Sequence, residues 1–236
     1  AYVIDLAKLE ENCRILQQVQ EEAGCKVLLA QKAYSLYKTY SLISQYLSGT
    51  TASGLYEAKL AREEFQGEVH VFAPAFKDED MEELLEITDH IVFNSERQLR
   101  KHGARCRETG VSVGLRLNPQ CSTQGDHALY DPCAPGSRFG VTLDKIPSDL
   151  LELVDGLHFH TLCEQGADDL ETTLKAVEAQ FGPYLHQVKW LNMGGGHHIT
   201  REDYDVDLLI SEIKRIRNTY NLEIYIEPGE AIALNA

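Results

Sequence analysis

Short apolar runs alternate with longer amphipathic ones along this chain, and few folds accept that order. The apolar runs are Val27–Ala30, Thr50–Ala52, Val69–Ala73, His90–Phe93, Val111–Leu117, Val154–His160, Val188–Met193 and Glu223–Glu227. Their near-continuous apolar character suits strands covered on both faces, as in parallel sheets. Helical spacing is clearest in Leu6–Ala23, where Leu9, Cys13, Leu16 and Val19 share one face, and in Tyr56–Phe65, Glu79–Leu85, Glu96–Glu108, Asp169–Gln180 and Asp205–Tyr220. Eight strands in strand-then-helix order predict an α/β fold, a (β/α)8 TIM-type barrel spanning residues 1–236. A doubly wound open sheet is the structural alternative, but the Gly-x-Gly-x-x-Gly fingerprint after a first strand is absent.

Two segments fall outside the repeat. Residues Asn118–Arg138 form a long irregular stretch, of the kind that in compact domains is usually functional or mobile. The opening run Tyr2–Asp5 reads as a strand of another domain, and the chain stops just past the eighth strand without a closing helix. A domain or fragment of a longer protein is the expectation.

Composition removes some functions. The net charge of −15 argues against nucleic acid, which needs clustered Lys and Arg, and suits a cationic small substrate. No apolar run approaches the length of a membrane helix, so no membrane partner is expected. No charged-then-apolar leader is visible, and six scattered cysteines without a Cys-x-x-Cys pair fit reduced thiols in a cytoplasmic protein.

In such a barrel the chemistry gathers at the C-terminal strand ends. Those ends offer Lys32, then Ser53 with Glu57, then Arg116, then His158 and His160 followed by Cys163, then Gly194, Gly195 and Gly196 before His197 and His198, and last Glu227 with Glu230. The run "NMGGGHHI" is the strongest local signal, because consecutive glycines let backbone amides approach an anion. A tight turn needing positive φ would use one glycine. A lysine, an amide cradle, an imidazole and a carboxylate on four strand ends suit pyridoxal phosphate (PLP). The lysine would form the Schiff base, the amides hold phosphate, the imidazole stack on the ring and the carboxylate keep the pyridine nitrogen protonated.

The stretches "LLAQKAYS", "GTTASGLYEAKLA", "DHIVFNS", "YDPCAPGSRFG", "DGLHFHTLCEQ", "WLNMGGGHHITR" and "IYIEPGEAI" resemble the carboxynorspermidine (carboxyspermidine) decarboxylases, in the alanine-racemase-fold (fold type III) group of PLP decarboxylases. The resemblance implies an alanine-racemase-like barrel with PLP on Lys32, His160 against the cofactor face, Gly194–Gly196 at the phosphate and Glu227 at the pyridine nitrogen. It implies decarboxylation of a carboxylated polyamine to norspermidine or spermidine, with Lys32 and Glu227 catalytic. It also implies a homodimer whose partner subunit completes each site, and a β-rich domain after the barrel that is missing here. A cysteine of that domain serves proton transfer in the group, so no residue of this chain takes the role. Ornithine-type relatives follow Glu-Pro-Gly with an arginine that contacts phosphate. Here Glu230 follows, and its expected role is binding an ammonium of the substrate.

Three rivals stay open at this point. A metal-dependent barrel hydrolase would use His158, His160, His197, His198 and Glu227, leaving Lys32 and the glycines idle. A non-catalytic PLP-binding barrel matches the length but does not need Glu227. Diaminopimelate, ornithine or arginine decarboxylases are the alternatives within the enzyme class.

Overall fold

The computed structural model describes residues 3–125 and 131–236. The order is α1 (Leu6–Ala23), β1 (Lys26–Ala30), α2 (Tyr40–Ile43), β2 (Gly49–Ala52), α3 (Leu55–Glu64), β3 (Glu68–Phe72), α4 (Asp78–Ile87), β4 (His90–Phe93), α5 (Glu96–Glu108), β5 (Ser112–Arg116), α6 (Leu150–Leu153), β6 (Gly156–His158), α7 (Ala167–Leu185), β7 (Trp190–Asn192), α8 (Val206–Tyr220), β8 (Glu223–Ile226) and α9 (Glu230–Ala233). The eight strands are parallel and close into a barrel in sequence order. Closure is made by Lys26 and Val27 of β1 beside Tyr225 and Ile226 of β8.

Alternation along each strand divides the core in two. In β1, Val27 and Leu29 face the helices and join the large strand-to-helix core. Leu28, between them, faces the lumen with Val92, Trp190 and Tyr225. The Trp190 indole occupies space that side chains on neighbouring strands would need. A Cβ on Gly156 would lie 2.0 Å from its ring, and one on Gly114 would lie 2.4 Å away. The lumen is therefore a packed plug, and the room for a ligand is above it, at the strand C-terminal ends.

Helix α1 precedes the first strand and completes the helical ring, packing against α8, α9 and α2. Its buried face is Leu9, Cys13, Leu16, Val19 and Ala23, as the spacing predicts. Asn12 Nδ2 donates to the carbonyls of Ile232 (3.2 Å) and Leu234 (2.9 Å), tying α1 to the segment after β8.

Three expectations are corrected. The run after β8, read as having no closing helix, holds the single turn of α9. Within the run read as an opening strand, Val3–Asp5 form no strand. Asp5 caps α1 instead, its Oδ1 accepting from Ala7 N–H at 2.9 Å; satisfying free helix amides outweighs a short alternation with no neighbouring strand. Between β5 and β6, for which the pattern names no helix, the described residues hold the single α-helical turn of α6. In the long irregular stretch, residues 126–130 lie outside the described residues.

Candidate active site

Two adjoining cavities open at the C-terminal ends of the strands. The first is lined by Lys32, His160, Cys163, Gly195, Gly196, His198, Glu227 and Glu230, among others. The second is lined by Lys32, Ser53, Phe72, Arg116, Asp131, Phe139, His160 and Cys163, among others. Lys32 and His160 are on the wall between them.

Lys32 owes its position to the residue before it. Gln31 is 1% exposed. Its amide donates to Thr51 O (3.1 Å), its Nε2 to Glu57 O (2.9 Å), and its Oε1 accepts from Tyr40 Oη (3.1 Å). With Gln31 tied down on one side, Lys32 is turned to the open side and is exposed. Lys26, at the other end of β1, pairs with Glu68 and Glu223 and is remote from both cavities. Of the strand-two candidates, Ser53 lines the second cavity, while Glu57 accepts from the Ser53 amide at 2.6 Å.

The glycine turn after β7 is built by close approach of backbones. Gly196 has φ +85, and a Cβ there would lie 2.1 Å from Leu162 O; at Gly195 it would lie 2.2 Å from Glu227 O. The amides are not equivalent. Gly194 N–H donates to Asn192 Oδ1 (2.8 Å) and Gly195 N–H to His160 Nδ1 (2.9 Å). Gly196 N–H has no acceptor among the described residues.

Glu227 directly follows β8, beneath this turn, and is 8% exposed. Its Oε1 accepts from Asn192 Nδ2 at 2.7 Å, and His158 Nε2 stands 3.9 Å from Oε2. Burial alone would raise the Glu227 carboxyl, but His158, Asn192 and the charge of Lys32 bring it down to about 2. It is thus an ionised carboxylate facing a cavity. His160 is pushed the other way, well below an ordinary histidine, by burial and by the nearby charges of Lys32 and Arg116. A neutral ring hydrogen-bonded at Nδ1 is the state that results.

Glu230 is more than half exposed and pairs with His198, Nε2 to Oε2 at 3.3 Å. It belongs to the first cavity, beside the glycine turn. Two residues without an assigned role at the sequence level enter the site. Asn192 links Glu227 to Gly194; its signal was a lone amide in an otherwise apolar run. Arg116 is 4% exposed. Its guanidinium lies over the rings of Phe72 (4.7 Å) and Phe139 (4.8 Å), donates to His160 O at 2.9 Å, and is lowered by burial to about 10. No carboxylate pairs with it among the described residues, so it is a buried cation open to an anionic ligand.

These residues fit PLP. An ionised buried carboxylate, an exposed lysine, a neutral imidazole and an unpaired glycine amide border one space. The rival metal site does not assemble. Among the described residues, the group whose ligand atoms converge is Glu68, His70 and His90, at the opposite end of the barrel.

No protein-family model matches the chain. Individual proteins do. The carboxynorspermidine/carboxyspermidine decarboxylase of Campylobacter jejuni is 42% identical over 232 residues, covering 98% of this chain and 60% of that protein. The carboxyaminopropylagmatine decarboxylase of Synechocystis is 39% identical over 234 residues, with the same 98% and 60% coverage. The crystal structure of carboxynorspermidine decarboxylase from Campylobacter jejuni, complexed with norspermidine, matches with a TM-score of 0.90 and 40% identity over 98% of this chain and 60% of that one. Over 98% of its length, then, the chain is similar to the carboxynorspermidine/carboxyspermidine decarboxylases, and it spans about three fifths of the length of the relatives it matches.

Proposed function

We propose that this chain is the barrel of a PLP-dependent decarboxylase that removes the α-carboxylate of a carboxylated polyamine, giving norspermidine or spermidine. The observation that carries the reading is Glu227, a buried carboxylate kept ionised in the cavity that Lys32 borders. A carrier of PLP has no use for such a group, whereas a decarboxylase does. PLP, when bound, supplies the electron-withdrawing ring that lets CO2 leave the α-carbon. Lys32 would hold the cofactor and Glu227 would keep its ring nitrogen protonated. His160 would pack on the ring as a neutral group, and Gly194–Gly196 would border the phosphate, chiefly through the Gly196 amide. Arg116 supplies a positive charge in the second cavity, suited to a carboxylate of the substrate.

The relatives' names include carboxynorspermidine, carboxyspermidine and carboxyaminopropylagmatine. All are α-amino carboxylates with a long cationic tail. Glu230 leaves one oxygen free of His198 to meet an ammonium on that tail. A following β-rich domain, a homodimer with shared sites and a cytoplasmic location complete the proposal. They draw on the resemblance and on the acidic, thiol-bearing composition. No described helix is long and apolar enough to cross a membrane.

The test uses the full-length protein. Borohydride reduction and peptide mapping should place the pyridoxyl group on Lys32. Mass spectrometry of products from the three carboxylated substrates should show loss of CO2 from at least one. Label on another lysine, or no CO2 from any of them, would overturn the reading.

A further inference from the structure

The first cavity carries a charge imbalance. Three carboxylates line it, Glu164, Glu227 and Glu230, against one lysine. Lys32 is committed to the far end of the cofactor, and Arg116 lines the second cavity only. The phosphate of PLP would therefore enter a glycine turn beside Glu230 with no obvious cation. Three imidazoles border the same space. His160 Nδ1 accepts from Gly195 N–H, so that nitrogen carries no proton. His197 is fully enclosed and lowered by burial to about 4, and neither of its ring nitrogens has a hydrogen-bond partner among the described residues. His198 differs from both: its Nε2 is 3.3 Å from a carboxylate oxygen, on the cavity wall, two residues past the free Gly196 amide.

We infer that His198 is the side-chain hydrogen-bond donor of the phosphate subsite, with Glu230 as its positioning partner. The inference rests on the proposed PLP reading and deepens it. In this arrangement Glu230 does not oppose the phosphate. It orients the imidazole, whose other ring nitrogen donates to the anion together with the Gly196 amide. A pair replaces the arginine that ornithine-type relatives place after Glu-Pro-Gly. The titratable groups that line the cavity with His198 are Glu230, Glu164, Cys163, Lys32, Glu227, His160 and His197. None of the others is paired with it among the described residues.

The experiment is calorimetric binding to full-length protein stripped of its cofactor. The probes are pyridoxine phosphate, which lacks the aldehyde and does not react with Lys32, and unphosphorylated pyridoxine. His198→Asn should weaken pyridoxine phosphate roughly ten- to a hundredfold, the range of one charge-assisted hydrogen bond, and pyridoxine by less than about twofold. Glu230→Gln separates the inference from simple repulsion. Removing a carboxylate beside a phosphate should tighten binding if Glu230 merely repels it. It should weaken binding severalfold if Glu230 holds His198. Equal affinity in wild type and His198→Asn would overturn the inference. So would equal weakening of both probes, or tighter phosphate binding by Glu230→Gln. If the wild-type protein itself binds no pyridoxine phosphate, the PLP reading falls first.

Discussion

Asn192 makes two buried contacts that no other side chain supplies. Its amide donates to Glu227 Oε1 and its carbonyl oxygen accepts from Gly194 N–H. One residue therefore holds the carboxylate of β8 and the first glycine of the turn at a fixed separation. Asn192 is 1% exposed, so water does not replace it freely. Asn192→Ala should leave both partners unsatisfied, at about 1–3 kcal/mol each. The expected loss is roughly 2–6 kcal/mol in urea unfolding. Asn192→Asp should fare no better, because it puts a second carboxylate against Glu227. An unfolding midpoint unchanged in Asn192→Ala would show that the two contacts are not structural.

Strands β6 and β7 show how one element constrains the next. Trp190 opens β7 and fills the lumen, with Nε1 donating to Ser112 Oγ of β5 at 2.9 Å. The indole needs Gly156 and Gly114 opposite, in register on β6 and β5. Gly156→Ala puts a methyl into the ring and should cost about 3 kcal/mol, the upper end of overpacking in a core. Adding Trp190→Phe should recover part of that loss by thermal unfolding, since the smaller ring vacates the space. A Gly156→Ala protein as stable as wild type would mean that the indole is not held there. The same packing fixes the height of His158 and Asn192, which end these strands beneath the first cavity.

At the scale of the molecule, two buried histidines link stability to pH. Burial lowers His90 from 6.5 to about 3, helped by the charge of His70 against which it stacks. His197 falls from 6.5 to about 4. Both are neutral in the fold and protonate more readily once unfolded. The unfolded state then binds more protons as pH falls below 6.5, so their contribution is full above 6.5 and declines down to about 4 for His197 and about 3 for His90. A loss of roughly 5 kcal/mol by about pH 4.5 follows, from about two units for each of the two rings at about 1.36 kcal/mol per unit. Glu68 and Glu227, both lowered from 4.5 to about 2, act in a separate window and lose their contribution only below 4.5. Urea midpoints measured from pH 8 to 4 should fall mainly below 6.5, and His90→Asn should flatten that fall. A flat profile in the native protein would contradict the neutral, buried state of these rings.

The alternation of apolar runs dictated eight strands and the helices between most of them, because strand and helix periods are local properties of a chain. With the barrel in place, the strand-end rule brought Lys32, His160, the glycines, Glu227 and Glu230 into view, since a parallel barrel puts all its C-terminal ends on one face. Local pattern misled at Val3–Asp5, where a helix cap won over a short alternation, and missed α6, whose one turn is too brief to show a period. Tertiary structure alone decided the pairings. Residues 192 and 227, or 198 and 230, are separated by 35 and 32 positions yet meet because β7 and β8 are neighbours. It alone decided which glycine amide is free, since Asn192 and His160 claim the other two through contacts that no spacing encodes. It also placed Arg116 between Phe72 and Phe139, and set α1 in the helical ring beside α8. Each of these is a contact between chain segments whose order in space is chosen by packing, which no window of sequence contains.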